Sequence, residues 1–144
     1  MLCNCEFPGK YFMRADYQVA VIQHLQHLNY STMEAKEIEK AVAHITVEII
    51  EYIPNSVVIK TILKKTTGNI SVISFDSGEG LTEKTTPFDT FVQIIDGTAQ
   101  IVISGVSHSL LTGQSIVIPA HAPNYVTPNG RFKMIQTIIK SGYD

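Results

Sequence analysis

The sequence predicts a mainly β protein, a double-sheet barrel of the jelly-roll kind with two short helices ahead of it. Three observations predict this. The run from Phe88 to Gly97 is rich in β-branched and aromatic residues and stops at a turn residue. The run from Gly113 to Pro119 has the same texture and follows at short range. Further short apolar runs, separated by turn residues, fill the chain after His44. Strands at such close, regular spacing favour an architecture in which pairing all round leaves few exposed edges.

Taken in order, the chain divides into an N-terminal extension over residues 1–45 and a barrel over 46–144. Between Asp16 and Leu28, the apolar residues Val19, Ala20, Ile22, Leu25 and Leu28 recur mostly at intervals of three and four, which predicts an amphipathic helix. Ser31 with Glu34 has the form of a capping box and predicts a second helix from about Thr32 to Val42. Two short helices with modest apolar faces do not fold alone, so they are expected to dock on the barrel or on a second subunit.

Strands follow. Val57, Ile59, Thr61 and Leu63 alternate with Val58, Lys60, Ile62 and Lys64. Thr67-Gly68-Asn69 turns the chain into a strand from Ile70 to Phe75, and Asp76 to Pro87 reads as a polar loop. In the next strand Thr90, Val92 and Ile94 share one face, while Phe91, Gln93 and Ile95 share the other. Asp96-Gly97 predicts a hairpin into Ala99, Ile101 and Ile103. Strands around Ser107 to Leu111, Ile116 to Ile118 and Phe132 to Ile139 complete the pattern, for about eight or nine in all.

Composition narrows the function. A chain of 144 residues is large enough to bury a core without disulfide or metal staples. A net charge of -2 leaves no basic excess to neutralise phosphates, so nucleic acid is not an expected partner. The stretch from Asp16 to Val42 carries Lys36 and Lys40 as its only basic residues apart from histidine, which argues against a DNA-binding helix pair. Cys3 and Cys5 are too few and too close for a disulfide framework. The charged N-terminus lacks the apolar stretch of a signal peptide, and no run approaches the roughly 20 apolar residues of a membrane span. The expectation is a soluble cytoplasmic protein with no membrane partner.

At Gly97 and Gly113 the chain resembles the small single-domain cupins, over roughly residues 48 to 144. The first cupin motif has Gly, five residues, His-x-His, three or four residues, Glu, six residues, Gly. Counted back from Gly97, its glutamate position is Thr90 and its two histidine positions are Lys84 and Thr86. The second motif has Gly, five residues, Pro-x-Gly, two residues, His, three residues, Asn. Gly113 and Pro119 match it, while His121 stands at its second glycine, Asn124 at its histidine and Pro128 at its asparagine. The resemblance implies a double-stranded β-helix, a homodimer and a pocket at the barrel mouth. The run from Phe75 to Asp89 is also similar to a bacterial cupin subgroup that often keeps histidine where Lys84 and Asn124 stand.

The frame is present and the ligands are substituted. Divalent transition metals favour imidazole, carboxylate or thiolate, whereas Lys84, Thr86, Thr90 and Asn124 offer an ammonium, two hydroxyls and a carboxamide. No metal or other cofactor is therefore expected. The pocket candidates are Lys84, Thr86, Thr90, His121 and Asn124, with Gln93 a further polar group that strict alternation turns away from the lumen. His121 as acid or base, and Lys84 as anion anchor or amine nucleophile, are the catalytic candidates. A separate zinc site from Cys3, Cys5, His24 and His27 would need tighter spacing than zinc fingers use.

The reading that follows is a metal-free small-molecule-binding or interaction domain. Its alternatives are a metal-independent sugar isomerase or epimerase and, with less support, a metal-dependent dioxygenase. The homodimer expectation also draws on Val58, Ile62, Ile73 and Phe75, whose strand faces cannot all point into one barrel and are expected to be buried between subunits, the alternative being that the N-terminal helices cover them.

Overall fold

The computed structural model describes residues 36–143. Nine strands form the fold: β1 (Val57–Lys65), β2 (Gly68–Phe75), β3 (Leu81–Lys84), β4 (Asp89–Gly97), β5 (Ala99–Ile103), β6 (Val106–Leu110), β7 (Ser115–Ile118), β8 (Asn124–Thr127) and β9 (Phe132–Ile139). They make two antiparallel sheets, of order β1-β2-β9-β4-β7 and β3-β8-β5-β6. The mainly β jelly-roll expectation holds.

Alternation sorts each strand between two cores. Val57, Ile73, Phe75, Val92, Ile94, Phe132 and Met134 of the larger sheet meet Ala99, Ile101, Ile103, Leu110 and Val126 of the smaller one in the barrel interior. Phe75 and Phe132 are opposite partners across β2 and β9, and their rings stack 4.3 Å apart at 12°. Both are fully buried.

The outer face of the larger sheet carries a second core. Ile50 and Ile53 pack on Val58 and Val72, with Ile62, Ile95 and Ile135 around them. Hydrogen bonds fasten this strap to the sheet: Ser74 Oγ donates to the Glu51 carbonyl at 2.8 Å, and Lys133 Nζ donates to the Val47 carbonyl at 2.7 Å. Ile73 and Phe75 therefore lie inside, and Val58 and Ile62 are covered by the same chain. Those four residues supply no open face for a second subunit.

Several local expectations change. The second N-terminal helix does not extend through residues 36–42, which are irregular, with a turn at 40–41 and Ala41 at φ 63°. Glu37 instead accepts hydrogen bonds from the Lys64 N–H and Lys40 Nζ, so its side chain serves a tertiary contact. The helical element among the described residues is a short 3-10 turn, Thr46–Glu48. The first predicted helix, and the start of the second, lie outside the described residues.

Asp96-Gly97 is not a hairpin turn. β4 and β5 belong to different sheets, and the chain crosses between them at Thr98. The pairing of β4 with β9 shifts register between Ile94 and Asp96, and Gly97 has φ 77°. A Cβ there would collide with the Arg131 carbonyl oxygen, so glycine answers a close approach rather than a hairpin. The polar stretch from Asp76 to Pro87 contains β3, which pairs with β8.

Candidate functional site

The end of the barrel where β4 begins gathers the residues singled out in the sequence. Lys84 ends β3, Thr86 lies in the following loop, Thr90 is near the start of β4, His121 is in the β7–β8 loop and Asn124 opens β8. Lys84 and Asn124 are opposite partners, and Asn124 Nδ2 donates to the Ala122 carbonyl at 3.0 Å and the Lys84 carbonyl at 3.4 Å. Asn124 is buried, so its amide fastens β3 to the loop.

The same loop is fastened to β4. The Ala120 N–H donates to Asp89 Oδ1 at 2.8 Å, and the His121 N–H donates to the Thr86 carbonyl at 2.7 Å. Thr86 Oγ1 donates to the Phe88 carbonyl at 3.1 Å, so this hydroxyl stabilises its own loop. Hydrogen bonds thus join Lys84 to Asn124 and Thr86 to His121, and Thr90 follows Asp89, which holds the same loop.

His121 has a structural signature that the sequence hid. The Ala122 N–H returns to the Pro119 carbonyl at 3.2 Å, closing a turn whose third residue, His121, has φ 69°. That position favours glycine, as the cupin motif has it, because a Cβ is strained in the left-handed region. The imidazole is exposed and has no hydrogen-bond partner among the described residues, so no such contact orients it as an acid or base.

Lys84 retains an exposed surface, yet the surrounding protein displaces water from its ammonium, and this desolvation lowers its pKa. Area and solvation differ here because a side chain at a barrel mouth touches water on one side only. Its chemical capacity is that of a partly desolvated cation.

Thr90 lies on the inner face, opposite Ile118 and Ile138, and is 7% exposed. Ser71 lies on the same face, opposite Gln136, and is 8% exposed. Neither hydroxyl has a side-chain hydrogen bond among the described residues. Gln136 stands opposite both Val92 and Ser71, so it is also an inner-face residue. Sequence reasoning missed Ser71 and Gln136; strand parity, counted from Ile73 and Met134, is the signal that finds them. Gln93 pairs with Ile135, a member of the outer core, and faces away from the lumen.

The donor set at the four cupin ligand positions does not fit a divalent transition metal. It comprises a cation, a hydroxyl bonded within its loop, a second hydroxyl and an amide whose nitrogen is bonded to backbone. Among the described residues there is no group of three or more His, Cys, Asp or Glu arranged to hold one. Cys3, Cys5, His24 and His27 lie outside the described residues.

No protein-family profile matches the sequence, and no curated protein does. Solved structures do. A conserved protein of unknown function from Streptococcus pyogenes aligns with TM-score 0.70 and 25% identity, covering 76% of this chain and 96% of that one. A cupin superfamily protein from Desulfitobacterium hafniense aligns with TM-score 0.69 and 26% identity, covering 75% and 99%. A cupin 2 conserved barrel domain protein from Leptotrichia buccalis aligns with TM-score 0.63 and 29% identity over 65% of this chain and 46% of that one. The fold is that of a small single-domain cupin, with the metal-ligand positions substituted. No helix among the described residues is long and apolar enough to cross a membrane.

Proposed function

We propose that the domain binds a small organic molecule at the barrel mouth without a metal. The observation that supports this most is the pair of buried inner-face hydroxyls, Thr90 and Ser71, which lack side-chain partners among the described residues. A buried polar group left unpaired costs about 1–3 kcal/mol, and a ligand or ordered water that pairs with it recovers that cost. Walls of Val92, Ile118 and Ile138 beside Thr90, Ser71 and Gln136 give the apolar lining with few polar groups that small-molecule sites use. Asn124 and Thr86 hold the mouth in shape, and Lys84 supplies charge at its edge.

A thermal-shift panel of small polar molecules, run on wild type and Thr90→Val, tests the reading. The expected result is a set of ligands that stabilise wild type and lose that effect in the variant. Ligands that stabilise both proteins equally would refute the role of Thr90. Full metal occupancy lost on substituting Thr90 or Asn124 would refute the metal-free reading. The isomerase alternative lacks comparable support, because His121 is exposed and its ring is not held by a hydrogen bond.

A further inference from the structure

Strand register lays out the outer face of the larger sheet as rows of cross-strand neighbours. One row runs through Lys60, Val72, Ile135, Gln93 and Ser115, and the strap residues Ile50 and Ile53 pack on it around Val72 and Ile135. The register shift between Thr61 and Leu63 then reverses the parity of β1, turning Leu63 outward and Lys64 inward. The next outward row towards the mouth is therefore Leu63, Ile70, Thr137, Phe91 and Val117, one residue from each of the five strands. Ile139 extends it along β9.

This row is apolar and uncovered by the strap. Leu63, Ile70, Phe91, Val117 and Ile139 belong to neither core among the described residues. Phe91, Val117 and Ile139 are 38%, 56% and 52% exposed. Leu63, Ile70, Thr137 and Ile139 line a depression of about 200 Å³. Gln93 and Ser115 bound the row on one side, and Lys65 and Asp89 on the other. An apolar patch with a polar rim is the form of a docking surface.

The chain itself leads there. Glu37 accepts from the Lys64 N–H at 2.6 Å, which holds the first described residues at the β1 edge beside Leu63. Ahead of them the sequence predicts an amphipathic helix from Asp16 to Leu28, 13 residues and so about 20 Å long. Five strands at about 4.8 Å spacing make the row about 19 Å wide. The eight residues 29–36 extend to at most about 29 Å, enough to lay such a helix across every strand. Charge agrees as well: residues 16–35 carry Asp16 and Glu34 with no lysine or arginine, and Lys64, Lys65 and Lys140 gather at the margin of the row.

We infer that the outer-face row from Leu63 to Val117 receives the apolar stripe of the chain's own segment Asp16–Leu28, with Ile22 and Leu25 at its centre. A tether this short gives the segment an effective concentration on the order of millimolar, which favours it over a second copy or another protein. The surface is separate from the inner-face ligand site.

The test is acrylamide quenching on the full chain, with light scattering for mass. The sequence has no tryptophan, so Phe91→Trp places a single reporter in the row. Tyr125→Trp, 37% exposed on the smaller sheet, is the control reporter. Ile22→Asp/Leu25→Asp is expected to raise quenching at Phe91→Trp at least threefold and to leave Tyr125→Trp unchanged, at a mass near 15.9 kDa. His24→Asp/His27→Asp, on the opposite face of the predicted helix, is expected to leave both reporters as they were. Equal quenching of Phe91→Trp with and without Ile22→Asp/Leu25→Asp overturns the inference. So does an equal loss of protection in the two double variants, or a rise at Tyr125→Trp as large as at Phe91→Trp. A doubled mass with protection that fades on dilution assigns the row to a second copy and overturns it too.

Discussion

The two ends of the barrel handle their polar groups in opposite ways. At the end away from the mouth, polar groups near the surface are knitted together. Asp76 accepts from Arg131 Nε at 2.7 Å and from the Asn55 N–H at 2.6 Å, while the Tyr52 hydroxyl donates to Asp96 at 2.7 Å. Arg131 and Lys133 both sit over the Tyr52 ring, at 5.3 and 4.8 Å from its centroid. At the mouth, Thr90 and Ser71 are buried without such side-chain partners among the described residues. The contrast teaches that one end satisfies its polar groups within the fold, while the other leaves two buried hydroxyls without side-chain partners among the described residues.

The largest expected effect probes the closed end's core. Phe132→Ala removes one ring of the stacked, fully buried pair and is expected to lower unfolding free energy by about 3–5 kcal/mol, measured by urea titration. A loss well under 1 kcal/mol would contradict the packing.

Asp76→Asn should cost about 1–3 kcal/mol, because it weakens charge-assisted bonds to Arg131 and Asn55. Burial pushes the Asp76 carboxyl up, but the hydrogen bonds from Asn55, Arg131 and Ser77 and the Arg131 charge together outweigh it, so its pKa is lowered. The folded value lies below the unfolded one, so the unfolded state binds more protons between them. Asp76 therefore contributes fully above the unfolded value near 3.8, and the contribution is lost as pH falls through the folded value. Denaturation at a series of pH values should show this acid-side loss in wild type and a reduced slope in Asp76→Asn.

A smaller change, of opposite sign, belongs to the mouth. His121→Gly relieves a left-handed Cβ and is expected to stabilise by up to about 1 kcal/mol, while His121→Ala stays close to wild type. Destabilisation by His121→Gly would show that the imidazole holds the loop. Lys84→Met removes a partly desolvated charge and should raise the midpoint of unfolding at neutral pH slightly, an effect that shrinks as pH rises towards the ordinary lysine value.

What the sequence made legible follows the same division. β4 and β9 were readable because long alternating runs fix both the element and its inner face. β3 and β8 were not, since Leu81–Lys84 and Asn124–Thr127 are short and polar and become strands by pairing with each other and with β5. Gly97 misled because its need for glycine comes from the distant Arg131 carbonyl. At the site, the motif frame located Lys84, Thr86, Thr90, His121 and Asn124, but spacing alone cannot show that Asn124 and Thr86 are bonded to backbone. Ser71 and Gln136 stayed hidden because their face depends on register. Lys64 stayed hidden because a register shift reverses its parity.

The central claim is that the Thr90 hydroxyl is present for a ligand and not for the fold. Equilibrium unfolding of ligand-free wild type and Thr90→Val tests it most directly. The account predicts that the isosteric variant, which removes an unpaired buried hydroxyl, is as stable as wild type or more so by up to about 1 kcal/mol. A loss of more than about 1 kcal/mol would contradict it, because the hydroxyl would then be holding the barrel together.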